Sequence, residues 1–371
     1  MRRIAHILLL GGLLAAACTP ERMQENAEKL PVLFSVGSED PELTKASVPY
    51  MALGGHFVCT MYYHAAATAS MQDEGDFDVD GGTATNAWLK VNNDRGNSVY
   101  WNEADESAAE VDSYGFDKRA PIFYWNNRMT HAFVALADYN HLDSYPARDV
   151  AYDLTRGTRT SMAEQPDPIR ALTLSRPTGS LPEANRVRLY FRHQFAQVQV
   201  NLKPGDDNSA QLSADQIDKV ELLGVSEEAY VPTQLKADGT LEAASAKPVR
   251  LDDYSDAQLK ENKWGTSMPL FAMSESSVGY LKSFQAICFG RLAAIRITWH
   301  EEEGNHIVHS STFEVPETNE SHVGLWNLQS GMRYIYDLEI RRGTLAVIRA
   351  EIKPWQQKTD LVYGADGTIT N

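Results

Sequence analysis

The feature that most constrains this chain is the period of its apolar residues, which is close to two wherever it is regular. Tyr334, Tyr336, Leu338 and Ile340 alternate with Asp337 and Glu339, and only Ile335 breaks the pattern. That alternation sends successive side chains to opposite faces of an extended strand, apolar inward and polar outward. Phe57-Val58-Cys59-Thr60-Met61-Tyr62-Tyr63, Ile122-Phe123-Tyr124-Trp125 and His131–Leu136 add runs rich in aromatic and branched residues, with Asn126-Asn127 as the turn between the last two. Helical periodicity never persists beyond about a dozen residues. The fold class is therefore expected to be mainly β.

Parity along the strands locates the breaks. Val187, Leu189, Phe191, His193 and Phe195 hold odd positions, whereas Val198, Val200 and Leu202 hold even ones. One strand cannot keep a single face inward through that change, so a β-bulge is expected near Ala196-Gln197. Lys236–Leu241 carries an Asp-Gly hairpin signal, and Leu292–Trp299 and Ile307–Phe313 flank the acidic turn Glu301–Asn305. Ser213-Ala214-Asp215-Gln216 has the pattern that caps a short helical turn, ahead of a strand from Lys219 to Val225. Between about 140 and 182 the chain reads as loop, with Pro146, Pro166, Pro168, Pro177 and Pro182. A length of 371 residues suits two domains. The boundary falls at the end of that stretch, giving a β-sandwich over 46–182 and a second over 183–371.

Charge and cysteine content narrow the classes. The 34 Lys+Arg against 50 Asp+Glu leave a net charge of -16, which opposes nucleic-acid binding because phosphates need a surplus of cations. Met1-Arg2-Arg3, the apolar run Ile7–Leu14 and the small residues Ala15-Ala16-Ala17 form a secretory signal over 1–17 that ends at Cys18. A Cys at that point resembles a bacterial lipobox, although Ala15 stands where Leu is commoner and Leu14 lies one place upstream. The resemblance implies that Cys18 carries acyl chains, palmitate among them, and anchors the mature protein to a membrane, each buried methylene contributing about 0.8 kcal/mol. Only Cys59 and Cys288 of the three cysteines then remain, and their apolar surroundings favour two separate buried thiols over a disulfide. Residues 18–45 form a polar tether, one apolar strand (Val32-Leu33-Phe34-Ser35-Val36) and an exposed, Pro-interrupted linker holding Lys45, a natural place for proteolytic nicking.

These landmarks together resemble the fimbrillin family of Bacteroidales. They are Cys18, the strand Val32–Val36, the junction Thr44-Lys45-Ala46, Tyr124-Trp125 before Phe133-Val134-Ala135, and Gln165-Pro166-Asp167. Later come Phe191–Val200, Trp326, Gly331, Tyr334-Ile335-Tyr336 and Ile352-Lys353-Pro354-Trp355. The resemblance implies two transthyretin-like β-sandwich domains in tandem, no enzymatic activity, no cofactor, and a lipid-anchored place on the outer membrane and in a fimbrium, or pilus. It further implies that a processing protease cuts after Lys45, removing the strand of Val32, Leu33, Phe34 and Val36. The emptied groove then accepts a donor strand from another fimbrial subunit, mapped here to Ile352–Ile369, with Trp355, Leu361, Val362, Tyr363 and Ile369 as its apolar side chains. Adhesion would bring in a host or bacterial receptor as a further partner. The best-known protease of the family prefers Arg, whereas the sole Arg between Cys18 and Lys45 is Arg22. Either a protease accepting Lys acts here, or the subunit keeps its strand and serves as a terminal or anchoring piece.

Other chemistry is weaker. Asp76, Asp78 and Asp80 have the spacing of a calcium loop, but the twelfth position is Ala87, and a solvated acidic loop is the expected reading. His300, His306 and His309 flank a hairpin turn without a guaranteed third metal ligand in place, and His193 lies on the apolar parity of its strand as a hydrogen-bonded core residue. No nucleophile elbow, zinc-protease, phosphate-loop or dinucleotide signature occurs. The second functional class is a glycan-binding surface lipoprotein, using aromatics such as Trp88, Trp101, Trp125 and Trp264.

Overall fold

The computed structural model describes residues 30–37, 53–66, 84–90, 97–102, 107–110, 123–137, 149–154, 159–178, 180–205, 212–301, 307–316, 327–341, 344–354, 362–363 and 369–370. The first half of the chain runs through β1 (Phe34–Gly37), β2 (Leu53–Ala66), β3 (Ala84–Lys90), β4 (Asn97–Asn102), β5 (Ser107–Glu110), β6 (His131–Ala137), β7 (Asp149–Asp153), β8 (Ile169–Ser175), β9 (Val187–Tyr190) and β10 (Arg192–His193). Most of these form one antiparallel sheet in the order β10-β8-β6-β2-β4-β5, with β3 also paired to β2. Every residue of β6 is buried. Phe133, Ala135 and Ala137 join Phe57, Cys59 and Met61 on one face, while Ala132, Val134 and Leu136 meet Tyr62 and Val58 on the other. A strand covered on both faces needs no polar side, which is why 131–137 reads as a continuous apolar run.

The second half continues through β11 (Ala196–Pro204), β12 (Ile217–Leu223), β13 (Glu228–Pro232), β14 (Ser245–Ala246), the six-residue helix α1 (Asp256–Glu261), β15 (Ser267–Pro269), β16 (Phe271–Ala272), β17 (Lys282–Cys288) and β18 (Gly290–Arg291). It ends with β19 (Ala294–Glu301), β20 (Ile307–Glu314), β21 (Asn327–Leu328), β22 (Met332–Arg341), β23 (Thr344–Pro354), β24 (Val362–Tyr363) and β25 (Ile369–Thr370). The molecule is mainly β, with several sheets and almost no helix. A five-stranded sheet, β16-β17-β11-β22-β23, faces a four-stranded one, β15-β12-β19-β20. Between them lies a core of Val198, Val200, Leu202, Tyr334, Tyr336 and Leu338 against Val220, Leu222, Ile295 and Ile297.

The opposite face of β11 carries Gln197, Gln199 and Asn201, all buried. Gln199 Nε2 donates to Asn201 Oδ1 at 2.9 Å, Asn201 Nδ2 donates to Asp337 Oδ1 at 2.8 Å, and Arg333 Nε donates to Gln197 Oε1. Buried polar groups are thus satisfied side by side, fixing the parallel register of β11 on β22.

The halves meet through β7, which pairs antiparallel with β13, and through a core joining Val58, Leu136 and Tyr152 to Phe195, Val231 and Phe289.

Several local expectations change. The parity switch after Phe195 is not a bulge. β10 pairs with β8, the chain bends at Gln194-Phe195, and β11 then enters a different sheet, so the inward face is reset by a change of sheet. The stretch 140–182 is not all loop, because β7 and β8 lie within it; prolines bound β8 without interrupting its alternation of Ile169, Ala171 and Thr173. Of the expected strand Ile122–Trp125, Ile122 lies outside the described residues, and 123–125 make, among the described residues, an isolated bridge from Pro31 to Tyr124 with Phe123 and Trp125 buried around it. The Ser213–Gln216 capping box closes a 3-10 turn as expected, followed by β12. Asp238-Gly239 forms a hydrogen-bonded turn, Lys236 N–H donating to Thr240 O at 2.8 Å, although no strands flank it as a hairpin.

Candidate functional site

The region with the most unusual construction surrounds residues 30–37. Leu30, Val32 and Phe34 point inward and are buried, as alternation requires, while Pro31, Leu33 and Ser35 are half-buried. The backbone is tied on two sides in succession. Val32 N–H donates to Phe123 O at 2.8 Å and Trp125 N–H to Leu30 O at 3.0 Å, both on the 123–125 segment. The chain then turns to β9: Val187 N–H donates to Leu33 O at 2.7 Å, and β1 runs parallel to β9 with Phe34 opposite Val187 and Val36 opposite Leu189. Among the described residues, β9 is the sole ladder partner of β1. Arg186 Nη1 donates to Phe34 O at 3.1 Å and completes the seat.

The seat itself is aromatic. The Phe34 ring meets Phe57, Phe123 and Phe133 edge-on, with centroids 6.1, 6.2 and 5.7 Å away and interplanar angles of 83°, 77° and 87°. Val187, Leu189 and Phe191 close the other wall. Trp125 extends the floor to His131, whose ring centroid is 4.8 Å away at 85°. His131 is fully buried; Asn126 N–H donates to its Nε2 at 3.2 Å, and its Nδ1 lies 2.9 Å from Met129 O. An Nδ1–H donor and an Nε2 acceptor define the neutral ring, and burial lowers its pKa to about 4. The groove is therefore apolar and shaped to hold alternate large side chains of an extended segment. Among the described residues lining it, burial keeps the His131 ring neutral and pushes the Cys59 thiol up, so neither is poised for catalysis.

Of the residues expected at the site, Val32, Leu33 and Phe34 are brought together here, and Val36 contributes backbone pairing. Cys18, Lys45, Trp355 and Leu361 lie outside the described residues, as do Asp76, Asp78, Asp80 and His306. Val362, Tyr363 and Ile369 sit in the small antiparallel pair β24–β25, Tyr363 opposite Ile369. Cys59 and Cys288 are free and buried in different cores, and burial pushes both thiols well up. His193 is buried with Nδ1 2.6 Å from Asp167 Oδ1. His300 lies opposite Val308 and bonds Asp218 Oδ1 at 2.8 Å, and His309 stacks on Trp299 with centroids 5.5 Å apart. Among the described residues no group of three or more His, Cys, Asp or Glu could hold a metal ion, and no helix is long and apolar enough to cross a membrane.

The four tryptophans separate. Trp125 is core, and Trp88 packs 3.7 Å (ring centroids) from His64, so neither is an open platform. The side chain of Trp101 lies outside the described residues, and Trp264 lines an open cleft. The residues that sequence reasoning missed are the groove walls Phe123, Phe191 and Val187, since nothing in the sequence says which distant strands flank 30–37.

A family model described as fimbrillin-like matches residues 82–355. The chain is similar in structure to a candidate cell adhesion protein from Bacteroides ovatus, at 16% identity and TM-score 0.50, covering 88% of this chain and 97% of that one. It also aligns with a candidate cell adhesion protein from Bacteroides uniformis at 13% identity and TM-score 0.48, covering 88% and 98% of the two chains. A third match is the tip fimbrial protein Mfa3 from Porphyromonas gingivalis with C-terminal truncation, at 12% identity and TM-score 0.40, covering 88% and 99%. No curated protein matches the chain.

Proposed function

Since the chain belongs to the fimbrillin-like family, a family of structural adhesion proteins and not of enzymes, we propose that it is a fimbrial subunit assembled by strand exchange. In this reading Cys18 carries the lipid anchor to the outer membrane, and 46–182 and 183–371 are tandem transthyretin-like sandwiches, with 187–193 reaching back to pair with the first. A protease cuts after Lys45, residues up to the cut leave, and the groove takes a strand from a second subunit. The donor lies between Trp355 and Ile369.

The observation that carries the reading is the seat of 30–37. A segment joined to the body through one linker, with one ladder partner among the described residues and three inward apolar side chains, suits exchange for another segment of the same pattern. Each such side chain contributes about 1.5–3 kcal/mol on burial, so an emptied groove exposes enough apolar surface to demand an occupant.

The test is assembly. Protein cut after Lys45 should form ladders of subunits, and deletion of residues 361–371 should leave a folded, cleavable monomer that does not. A deletion variant that polymerises like the full chain would overturn the donor assignment. First cuts scattered through both halves, instead of at Lys45, would overturn the processing step.

A further inference from the structure

On the second half lies an open cleft of about 870 Å³, within the roughly 300–1,000 Å³ of small-molecule sites. Its floor is set by Phe289, part of the core between the halves, and by Leu328, part of the core of the second half. One wall is Trp264, half-buried, with Lys263 Nζ 4.5 Å from the centroid of its ring. Two left-handed glycines keep the cleft open. A Cβ on Gly224 would come 2.7 Å from Ala293 Cβ, and one on Gly290 would come 2.6 Å from Ser226 Oγ.

Ser226 is the residue that the fold itself leaves unsatisfied. It lines the cleft at 3% exposure, and its hydroxyl has no hydrogen-bond partner among the described residues. A buried hydroxyl without a partner is costly, and glycine at 290 is what keeps this one reachable from the cleft. The rim is polar and uncharged where it is free. Asn327 and Gln329 are exposed at the edge of the cleft, and their side-chain amides have no partner among the described residues. The two cations among the lining residues are both engaged: Lys263 Nζ lies 2.5 Å from Glu314 Oε1, and Arg291 already has a partner within the protein.

From this juxtaposition we infer that the cleft binds a neutral oligosaccharide, with a pyranose ring stacked on Trp264 and its hydroxyls bonded to Ser226 Oγ and the amides of Asn327 and Gln329. A pyranose has an apolar C–H face and hydroxyl edges. The cleft offers an indole to the face, and to the edges a hydroxyl and two amides that both donate and accept. A purely apolar ligand would seal Ser226 Oγ away unpaired. An anionic ligand would meet cations already committed elsewhere. The site requires no strand exchange, so either assignment can fail alone.

The full chain is titrated by indole fluorescence and calorimetry, at low and high salt, with maltotriose, cellotriose, triacetylchitotriose and lacto-N-tetraose. At least one should bind saturably, with an affinity that salt does not change, because no charge pair forms. Trp264→Ala should weaken that binding about tenfold or more, with Trp264→Phe partly restoring it. Ser226→Ala and Asn327→Ala should each weaken it about fivefold, the worth of one neutral hydrogen bond. Asn327 is exposed, so its variant keeps the test decisive if Trp264→Ala loses its β-sheet circular dichroism. Absence of binding by all four sugars overturns the inference, as does binding that none of the substitutions alters. Tighter binding of 3′-sialyllactose than of every neutral sugar, lost at high salt, overturns the neutral class. Nile red held in the cleft, released by Trp264→Ala and displaced by none of the sugars, overturns it in favour of an apolar ligand.

Discussion

Strands β1 and β22 bury aromatic side chains equally well and are held in opposite ways. Phe34 in β1 and Tyr336 in β22 are both sealed from solvent within aromatic and aliphatic surroundings. Yet β22 is ten residues long and lies between β11 and β23, with ladders on both edges, while β1 is four residues long and, among the described residues, pairs with β9 alone. Burial is a property of side chains and exchangeability a property of the backbone. A strand laddered on both edges is locked into its sheet, whereas a strand laddered on one edge at the end of a linker is the kind that the proposed strand exchange requires to leave.

Breaking β22 should have the largest effect. Tyr336→Ala empties a core both of whose sheets depend on it, and should cost about 3–5 kcal/mol in chemical denaturation. A loss below about 1 kcal/mol would mean that the second half repacks freely, and the contrast between the strands would weaken.

Acid should separate the two halves next. The unfolded chain protonates His131 near 6.5, its ordinary value, and the folded chain only near 4. Stability fully present above pH 6.5 is therefore lost as pH falls through that window, by about 3 kcal/mol at its lower end. His64, also in the first half, is shifted the same way by burial. In the second half Glu221 is held the other way. Burial would raise its pKa, but hydrogen bonds from Arg296, Lys219 and Ser267 outweigh it and lower the value. Its contribution is lost only as pH falls below the ordinary carboxylate range. Denaturation between pH 7.5 and 4.5 should thus weaken the first half ahead of the second, and His131→Gln should flatten the slope. An unchanged slope in that variant would assign the acid sensitivity elsewhere.

The smallest global effect should come from Phe34→Ala. The side chain is about as buried as that of Tyr336, but under the proposed exchange 30–37 leaves while the body stays folded, so the loss is capped by the free energy with which the segment docks. The expected cost to the body is no more than about 2 kcal/mol, alongside much faster hydrogen exchange at Val32 and Val187. A loss equal to that of Tyr336→Ala would make β1 an ordinary core strand.

How far the sequence discloses this follows from what periodicity can carry. It marks β22 and the β19–β20 hairpin because their alternation is local, and it marks Val32–Val36 as a strand for the same reason. It is blind to partners. The parallel pairing of β1 with β9 spans about 150 residues of chain, and the β7–β13 pairing that joins the halves crosses the proline-rich stretch that masked β7 and β8. The change of sheet at Gln194-Phe195 imitates a bulge, since both reset parity at one point.

The central claim, that residues 30–37 are a replaceable occupant of a preformed groove, is tested most directly by exchange in trans. Protein cut after Lys45 is mixed with a fluorescein-labelled synthetic peptide of residues 29–44, and uptake is followed by anisotropy. The account predicts saturable uptake by a body that keeps its β-sheet circular dichroism, and none for the peptide carrying Val32→Asp and Phe34→Asp. A body that unfolds when its own segment leaves, or that stays folded and takes up both peptides alike, would contradict it.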